Sequence, residues 1–493
     1  MQAGDSDATG NVAGNGRRDG MADKNQPPVR GVILAAGQGK RMKSARPKVL
    51  HDVFGKAVIS RVIEAVAAIG PEIEHLHVVV GHASDQVESF LEGNKPSASF
   101  SCHLQQPQLG TGHALLQVAP ALADFKGTLI VTVGDAPVIQ AESLKALLAH
   151  HYATKGIVTA LTTELLDAKN YGRILRDYEG RVRGIVEDKD ATAEQKLIRE
   201  INTGIYALAW PEVAEGLKGL SNNNKQNEYY LTDLVAWAYE HAHGAQALIL
   251  NDPRQVAGIN SRLELAEAIR LLRDITIEKL SLQSGVTVVD PASTWIAPEA
   301  EIGAETIILP GCYMTGKVKI GQGCQIGPNV VIKGPVTIGD GSTVVLSQLA
   351  NSVIGKDTRV GPFAHVRDGN VVGDHCKIGN FVELKKANIG EHTNVGHLSY
   401  IGDASLGANV NIGAGTITAN YDHITKKKER TVIGDGASTG SNSVLVAPVE
   451  MGQESVLAAG TVVGKNVPAG ALAVGRAVLK MVDGWAFTRK GKR

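Results

Sequence analysis

The sequence is poor in aromatic residues, cysteine, net charge and long apolar runs. Aromatics make up 4% of its 493 residues, against 56 glycines. That balance suggests many tight turns, as in a repeat fold. The 50 Lys and Arg match the 50 Asp and Glu. This argues against a nucleic-acid or anionic-membrane protein held by bulk charge, and leaves local basic sites open. The four cysteines, Cys102, Cys312, Cys324 and Cys376, form no CxxC pair and no Cys/His ligand spacing. They read as buried free thiols in a reducing cytosol. No apolar run reaches the roughly 18 residues of a membrane span. Residues 1–28 hold Gly, Asp, Asn and Ala but no apolar stretch, which excludes a signal peptide and predicts a disordered tail, with Met21 as an alternative start.

The length exceeds one ordinary core, so two or more domains are expected. Residues 29–262 alternate β-rich runs such as "HVVVG" and "TLIVTVGD" with helical patterns such as "AVISRVIEAVAAI". This predicts an α/β domain with a mostly parallel sheet. Residues 263–284 place Leu265, Ile269 and Leu272 at helical spacing among charges, predicting a long linker helix. From 285 to 493 an aliphatic residue followed by Gly recurs, as in Ile302-Gly303, Ile320-Gly321, Ile326-Gly327, Ile378-Gly379 and Ile412-Gly413. Steps of six predict a parallel β-helix of about 18 residues per triangular coil. Its aliphatic side chains point inward, and its glycines let the chain turn corners without a Cβ clash. One insertion, "TITANYDHITKKKERT", interrupts the repeat. It reads as a solvated basic loop or as part of a functional face, and "NYD" at its root favours function.

The stretch "GVILAAGQGKRMKSARPKVL" is a glycine turn after a strand, followed by bases. It fits neither a P-loop, since Leu34 stands where the first Gly belongs, nor a dinucleotide fingerprint, since Met42 replaces the third Gly. In "TVGDAP", Asp135 follows a buried strand. A carboxylate there suits Mg²⁺ or caps the next helix, and the residue alone leaves both open.

Taken together, "LAAGQGKRM", "PKVL", "QLGTGHA" and "VGDAP" resemble the sugar-nucleotide pyrophosphorylases. The resemblance implies a Rossmann-like nucleotidyltransferase domain that binds UTP and a sugar 1-phosphate. Leu34, Ala35, Ala36 and Gly37 would then hold the uridine, and Arg41 and Lys48 would face the phosphates. Gln105, Gly110 and Thr111 would grip the uracil, with Val133 and Gly134 lining the nucleotide. Val133 departs from the aromatic residue common before Gly-Asp. By the same resemblance Gly172, Glu187 and Asn202 read the sugar, and Asp135 and Asn260 hold Mg²⁺.

From "RDGNVVGDHCKIGNFVELKK" through "GHLSY" to "GAGTITANYD", the second half resembles the acetyltransferase half of a bacterial family. Those enzymes are bifunctional: N-acetylglucosamine-1-phosphate uridyltransferase and glucosamine-1-phosphate N-acetyltransferase. Both halves match in order, from about Val29 to Arg493. The resemblance implies a left-handed parallel β-helix, a cytoplasmic homotrimer with acetyl sites between subunits, and acetyl-CoA as cosubstrate. It also implies a place in UDP-N-acetylglucosamine supply for peptidoglycan and lipopolysaccharide. His397 would be the base, since the attacking amine must be neutral. Arg367 and Lys385 would hold the sugar phosphate, with Tyr400 and Asn411 orienting the sugar. Asn420 and Tyr421 would contact the sugar or a neighbouring subunit's substrate. Ala414, Ser441, Ala459 and Arg476 match acetyl-CoA positions. The terminal "RKGKR" reads as solvated.

Overall fold

The computed structural model describes residues 27–70, 73–241 and 244–490. Most of the expected tail, residues 1–26, and the last three residues lie outside the described residues. Among the described residues eleven strands precede the repeat: β1 (Val29–Leu34), β2 (Asp52–Val53), β3 (Lys56–Ala57), β4 (Ile73–Val80), β5 (Phe100–Leu104), β6 (Gly127–Val133), β7 (Val158–Glu164), β8 (Arg173–Arg176), β9 (Val182–Val186), β10 (Glu200–Trp210) and β11 (Ala245–Ile249). Among them lie the helices α1 (Val58–Ala67), α2 (Ser84–Gly93), α3 (Thr111–Leu116), α4 (Ala141–Thr154), α5 (Glu212–Lys218) and α6 (Asp233–Glu240). Contacts divide the chain into two compact units. One holds the residues up to Gln38, Val62–Gly134 and Ile139–Pro253; the other holds Gly39–Arg61, Asp135–Val138 and Arg254–Arg493.

The first unit is built on one sheet, in the order β11-β7-β10-β6-β1-β4-β5, with β8 paired to β10 and β9 paired to β8. The strands around β1 are parallel, as expected. The expectation of a mostly parallel sheet fails at β10, which runs antiparallel to β6, β7 and β8. A strand buried on both faces reads as a continuous apolar run in either direction, so its sequence does not reveal its sense. Apolar residues of the sheet, including Val32, Leu129, Val131, Ala160 and Leu208, pack with Leu115, Leu217 and Leu234 of α3, α5 and α6.

In the second unit, α7 (Arg262–Ser284) begins on a capping box. Ser261 accepts from the Glu264 N–H at 3.3 Å, and the Glu264 carboxylate accepts from the Asn260 N–H at 2.8 Å. The helix ends at Gly285, whose φ of 68° suits a left-handed cap. Its first turns bury Leu265, Ala268 and Leu272 against Met42, Val53, Val58 and Ile259. Its last turns add Ile277 and Leu280 to the core of the repeat.

The repeat is a solenoid with three strands per coil, each paired in parallel with the strand one coil on. Tyr313 pairs with Val331, eighteen residues on. Asn394 pairs with Asn411, seventeen on. The aliphatic residue of each repeat is buried, from Ile302 and Ile320 to Ile412 and Ile433. At several repeats the glycine that follows has a reason other than corner turning. A Cβ on Gly303 would stand 2.7 Å from the backbone of Gly321 and Gln322, and one on Gly379 would stand 1.8 Å from the Gly396 carbonyl. The close approach of the next coil requires these glycines. Positive φ falls on Gly327 and Gly361 among the glycines of these pairs, and on other residues that include Asp357, Phe363, His375, Phe381, His392 and Leu398.

Inside one corner a ladder of small polar groups joins successive coils. Thr306 Oγ1 donates to Gly321 O at 2.8 Å and accepts from the Cys324 N–H at 3.1 Å. Cys324 Sγ donates to Gly339 O at 3.2 Å, and Ser342, Thr358, Cys376 and Thr393 continue the series. The thiols of Cys324 and Cys376 thus stand in for hydroxyls, and burial raises their pKa. Cys102, on β5, is only partly buried, which corrects the expectation of four buried thiols.

Candidate active sites

In the first unit, the chain runs from β1 outward through β4 and β5, then returns to β6 on the other side of β1. Such a reversal opens a crevice at the carboxyl ends of the two strands. Leu34, Ala35, Ala36 and Gly37 leave β1 there, and Val133 and Gly134 close β6. Leu34 is in register with Val133, and the Gly134 N–H donates to Leu34 O at 2.8 Å. A Cβ on Gly134 would fall 2.9 Å from that of Ala35.

Gln105 follows β5 and is buried. Its Nε2 donates to Gly110 O at 2.9 Å, which leaves Oε1 as a free acceptor among the described residues. Gly110 has φ 106°, and a Cβ there would lie 2.6 Å from Tyr229 O. Thr111 opens α3, and its hydroxyl accepts from the Leu231 N–H at 3.0 Å. The "EYYLTD" segment therefore pins the "QLGTG" loop.

Gly172, Glu187 and Asn202 are gathered by β8, β9 and β10. The Asn202 N–H donates to Gly172 O at 2.9 Å. Glu187 accepts from Thr232 Oγ1 at 3.2 Å, and burial pushes its carboxyl pKa up. Tyr230 donates to Asp190 at 3.0 Å, and burial raises its phenol to about 12. Asn202 Oδ1 accepts from the Gly204 N–H at 3.1 Å and from Tyr206 Oη at 2.9 Å. The sequence reasoning missed Thr232, Tyr206 and Tyr230. Their only signal lay in the polar and aromatic run "NEYYLTD" and in one hydroxyl inside an apolar strand.

In the second unit, Lys48, Asp135 and Asn260 come together. Lys48 Nζ is paired with Asp135 Oδ2 and donates to Asn260 Oδ1 at 3.1 Å. The Ile259 N–H donates to Asp135 O at 2.9 Å, and the capping box of α7 holds Asn260. Gly39, at φ 59°, is the one residue type that fits beside Lys48, whose Cβ lies 2.9 Å from where a Gly39 Cβ would stand. Arg41 is exposed in the turn Lys40–Met42. The two oxygens of Asp135 and Asn260 therefore converge on one cation, with the ammonium as a stand-in. An all-oxygen pair of one carboxylate and one amide suits Mg²⁺. Among the described residues no cluster of three or more His, Cys, Asp or Glu is placed to hold a metal.

On the solenoid, one corner collects the candidates coil by coil. Asn380 O accepts from the Leu398 N–H at 3.0 Å, and His397 O accepts from the Gly415 N–H at 3.1 Å. Ala414 O and Ser441 O accept from the N–H groups of Asn442 and Gly460 at 2.7 and 2.8 Å. Gly460 lies against Arg476. Asn380, His397, Ala414, Ser441, Ala459 and Arg476 thus form one column. Four coils at about 4.8 Å each carry it roughly 19 Å from His397 to Arg476. His397 Nδ1 meets Asn380 Oδ1, an acceptor, so Nδ1 is the donor there and Nε2 is the nitrogen that carries the lone pair in the neutral ring. Asn380 was not singled out from the sequence, although it stands one coil before His397.

A neighbouring face gathers cations. Arg367 pairs with Glu383 at 2.7 Å, and this bond raises the guanidinium pKa. Glu383 is in register with Tyr400, and Lys385 with Gly402. Lys428, from the insertion, lies beside Lys385 and, with Arg367, lowers the pKa of its ammonium. The insertion folds back on itself. The Glu429 N–H donates to Asn420 O at 3.0 Å, and Tyr421 bridges to Lys428. Asn420 donates to Asp403, and Tyr421 is exposed. Asn411 stands apart from this group. It pairs with Asn394 and Ser438 in the other sheet of the solenoid.

The chain was compared with known proteins. Residues 31–175 match the MobA-like NTP transferase domain. Residues 317–345 and 351–386 match the bacterial transferase hexapeptide (six repeats), and residues 430–465 match the hexapeptide repeat of succinyl-transferase. A relative from Pelobacter propionicus, "Bifunctional protein GlmU", is 44% identical over 94% of this chain and 99% of its own length. Proteins of the same description from Geobacillus sp. (strain WCH70) and Synechococcus sp. (strain RCC307) are 45% and 44% identical over 90% and 92% of this chain, and over 95% and 98% of their own lengths.

Proposed function

The chain belongs to the family of the bifunctional GlmU proteins, and on that premise we propose how its residues divide two reactions. The C-terminal half acetylates glucosamine 1-phosphate from acetyl-CoA. The N-terminal half then transfers uridylyl from UTP to N-acetylglucosamine 1-phosphate and releases pyrophosphate, giving UDP-N-acetylglucosamine.

The observation that carries the residue assignment is the corner column. It sets a histidine with a free Nε2 at the head of small residues that end in an arginine. His397 takes the proton from the 2-amine as that nitrogen attacks the thioester carbonyl, and the CoA thiolate leaves. Ala414, Ser441 and Ala459 leave room for an extended pantetheine arm, and Arg476 meets a CoA phosphate. Arg367, Lys385 and Lys428 hold the sugar phosphate, as a fixed anion requires fixed cations. Tyr400 and Asn411 orient the sugar, with Asn420 and Tyr421 beside it. A site completed by a second subunit accounts for the separation of Asn411 from the cationic group, and it favours a homotrimer.

For uridylyl transfer, Gln105 presents an acceptor that suits a uracil N–H, beside Gly110 and Thr111. The backbone of Leu34 to Gly37, Val133 and Gly134 receives the nucleotide. Gly172, Glu187 and Asn202 face the sugar. Lys48 and Arg41 meet phosphate charge. Asp135 and Asn260 hold Mg²⁺, which when bound neutralises charge on the phosphates. No helix among the described residues is long and apolar enough to cross a membrane. A cytoplasmic place suits an enzyme supplied with UTP and acetyl-CoA.

The test is incubation with glucosamine 1-phosphate, acetyl-CoA, UTP and Mg²⁺, with products followed by mass spectrometry. The expected product is UDP-N-acetylglucosamine. Uridylylation of added N-acetylglucosamine 1-phosphate without any acetylation would reduce the solenoid to a passive partner.

A further inference from the structure

Asn202 is fixed in one orientation. The Gly204 N–H can only donate, so the side-chain atom it meets at 3.1 Å must be the amide oxygen. Tyr206 Oη lies on the same oxygen at 2.9 Å and is therefore the second donor. Tyr206 is buried at the centre of β10. With both inner donors on Oδ1, the Nδ2 group has no hydrogen-bond partner among the described residues. It is a donor with no acceptor capacity. A Cβ on Gly172 would stand 3.5 Å from Asn202 Cβ and 3.5 Å from the carbonyl of Val186, the residue before Glu187, so Glu187, held by Thr232, belongs to the same cluster. Burial, and after it the charge of Glu187, raises the Tyr206 phenol pKa. The pair therefore offers one acceptor, Glu187, and one outward donor, Asn202.

We infer that Tyr206 is a positioning residue that locks Asn202 as a donor, so that the uridyltransferase half selects an N-acylated amino sugar over the free amine. This rests on the reading of Glu187 and Asn202 as the sugar-facing residues. The chemistry follows from what the two sugars present at nitrogen. An acetamido group carries one N–H donor and one carbonyl acceptor, which complements the Glu187–Asn202 pair. The ammonium of glucosamine 1-phosphate carries donors only. It satisfies Glu187 and meets Asn202 donor to donor, which leaves a polar group unpaired.

The test measures kcat/KM for N-acetylglucosamine 1-phosphate and for glucosamine 1-phosphate as uridylyl acceptors, together with the KM for UTP. Tyr206→Phe should lower the ratio of the two kcat/KM values by about 5- to 10-fold, the scale of one hydrogen bond, with the UTP KM unchanged. Asn202→Asp keeps an acceptor for both inner donors but turns an oxygen outward. It should lower the ratio by at least about tenfold and improve glucosamine 1-phosphate in absolute terms. A Tyr206→Phe change made on an Asn202→Ala background should have no further effect on the ratio. If Asn202→Ala raises the KM for the acetylated sugar but the ratio stays constant in Tyr206→Phe and Asn202→Asp, the inference is overturned and the sugar-facing reading stands. If Asn202→Ala leaves that KM unchanged, the sugar-facing reading itself is overturned. Equal losses for both sugars and for UTP would reduce Tyr206 to a structural role and also overturn the inference.

Discussion

Lys48 now holds the two oxygens assigned to the metal, so removing its charge should tighten metal binding even as it harms the reaction. The perturbation is Lys48→Met, which keeps the length of the side chain and deletes the ammonium. Lys48 is mostly buried, with 9% of its side chain exposed, and Asp135 is 19% exposed. Both of its acceptors lie on the assigned ligands. A divalent cation bound to those groups would face the ammonium at close range, and the repulsion between the two charges favours displacement of the lysine. A hydrogen bond to a charged group contributes about 1.5–3 kcal/mol net. At about 1.4 kcal/mol per tenfold, that is about a ten- to hundredfold gain in affinity for the variant. The assay is titration of nucleotide-free protein with Mn²⁺, read by the loss of the free-ion electron paramagnetic resonance signal. Asp135→Asn serves as the weak-binding control. An unchanged or weaker dissociation constant in Lys48→Met would refute the displacement. Native protein that binds no Mn²⁺ with or without UTP would refute the metal assignment.

Other changes should separate the parts of the molecule. His397→Ala should abolish acetyl transfer and spare uridylyl transfer, and Asp135→Ala should do the reverse; both are read from the two product masses. Asn380→Ala should lower acetyl transfer by about tenfold without a change in melting temperature, because the His397 ring loses the partner that fixes its tautomer. Gly379→Ala should lower the melting temperature of the solenoid and acetyl transfer together, since its Cβ would enter the Gly396 carbonyl one coil on. His77 is buried beside His103, with ring nitrogens 3.0 Å apart, and burial with the two neighbouring imidazoles pushes its pKa down to about 3. Its contribution to stability is therefore complete above about pH 6.5, the unfolded value, and is lost as pH falls from there toward 3. The urea midpoint should fall across that window in the native protein and fall less steeply in His77→Gln.

The period of aliphatic-Gly pairs made the solenoid legible, and every inward position it marked in Ile302, Ile338, Ile378 and Ile401 is buried. It did not reveal why glycine follows, because the constraint comes from a backbone about eighteen residues away. Nor did counting fix the register. The step is eighteen at Tyr313 and seventeen at Asn394, so Asn380 is legible as the partner of His397 only once the strands are aligned. The antiparallel sense of β10 was hidden for a different reason, since apolar runs carry no direction. Tyr206 was hidden inside "EINTGIYALAW", where one hydroxyl among aliphatics reads as packing. Lys48, Asp135 and Asn260, which the family resemblance singles out far apart in the chain, are brought together in the structure. Residues that act by orienting another side chain were not legible in the sequence.

The near-identity of the coils has a consequence for how the chain reaches its fold. A strand that docks one coil out of step still finds a parallel partner, an inward aliphatic and a glycine where the backbones touch. Such an offset sacrifices little more than one coil's worth of pairing, so the correct alignment has close competitors. The excursion between Asn420 and Arg430 breaks the degeneracy. Ala404 pairs with Thr431, twenty-seven residues on, where Asn388 pairs with Ser405 after seventeen. The loop thus serves as an indexing mark. Without it, a slipped chain could keep the β spectrum of the native protein while setting Asn380 opposite Ala414 and stranding the histidine.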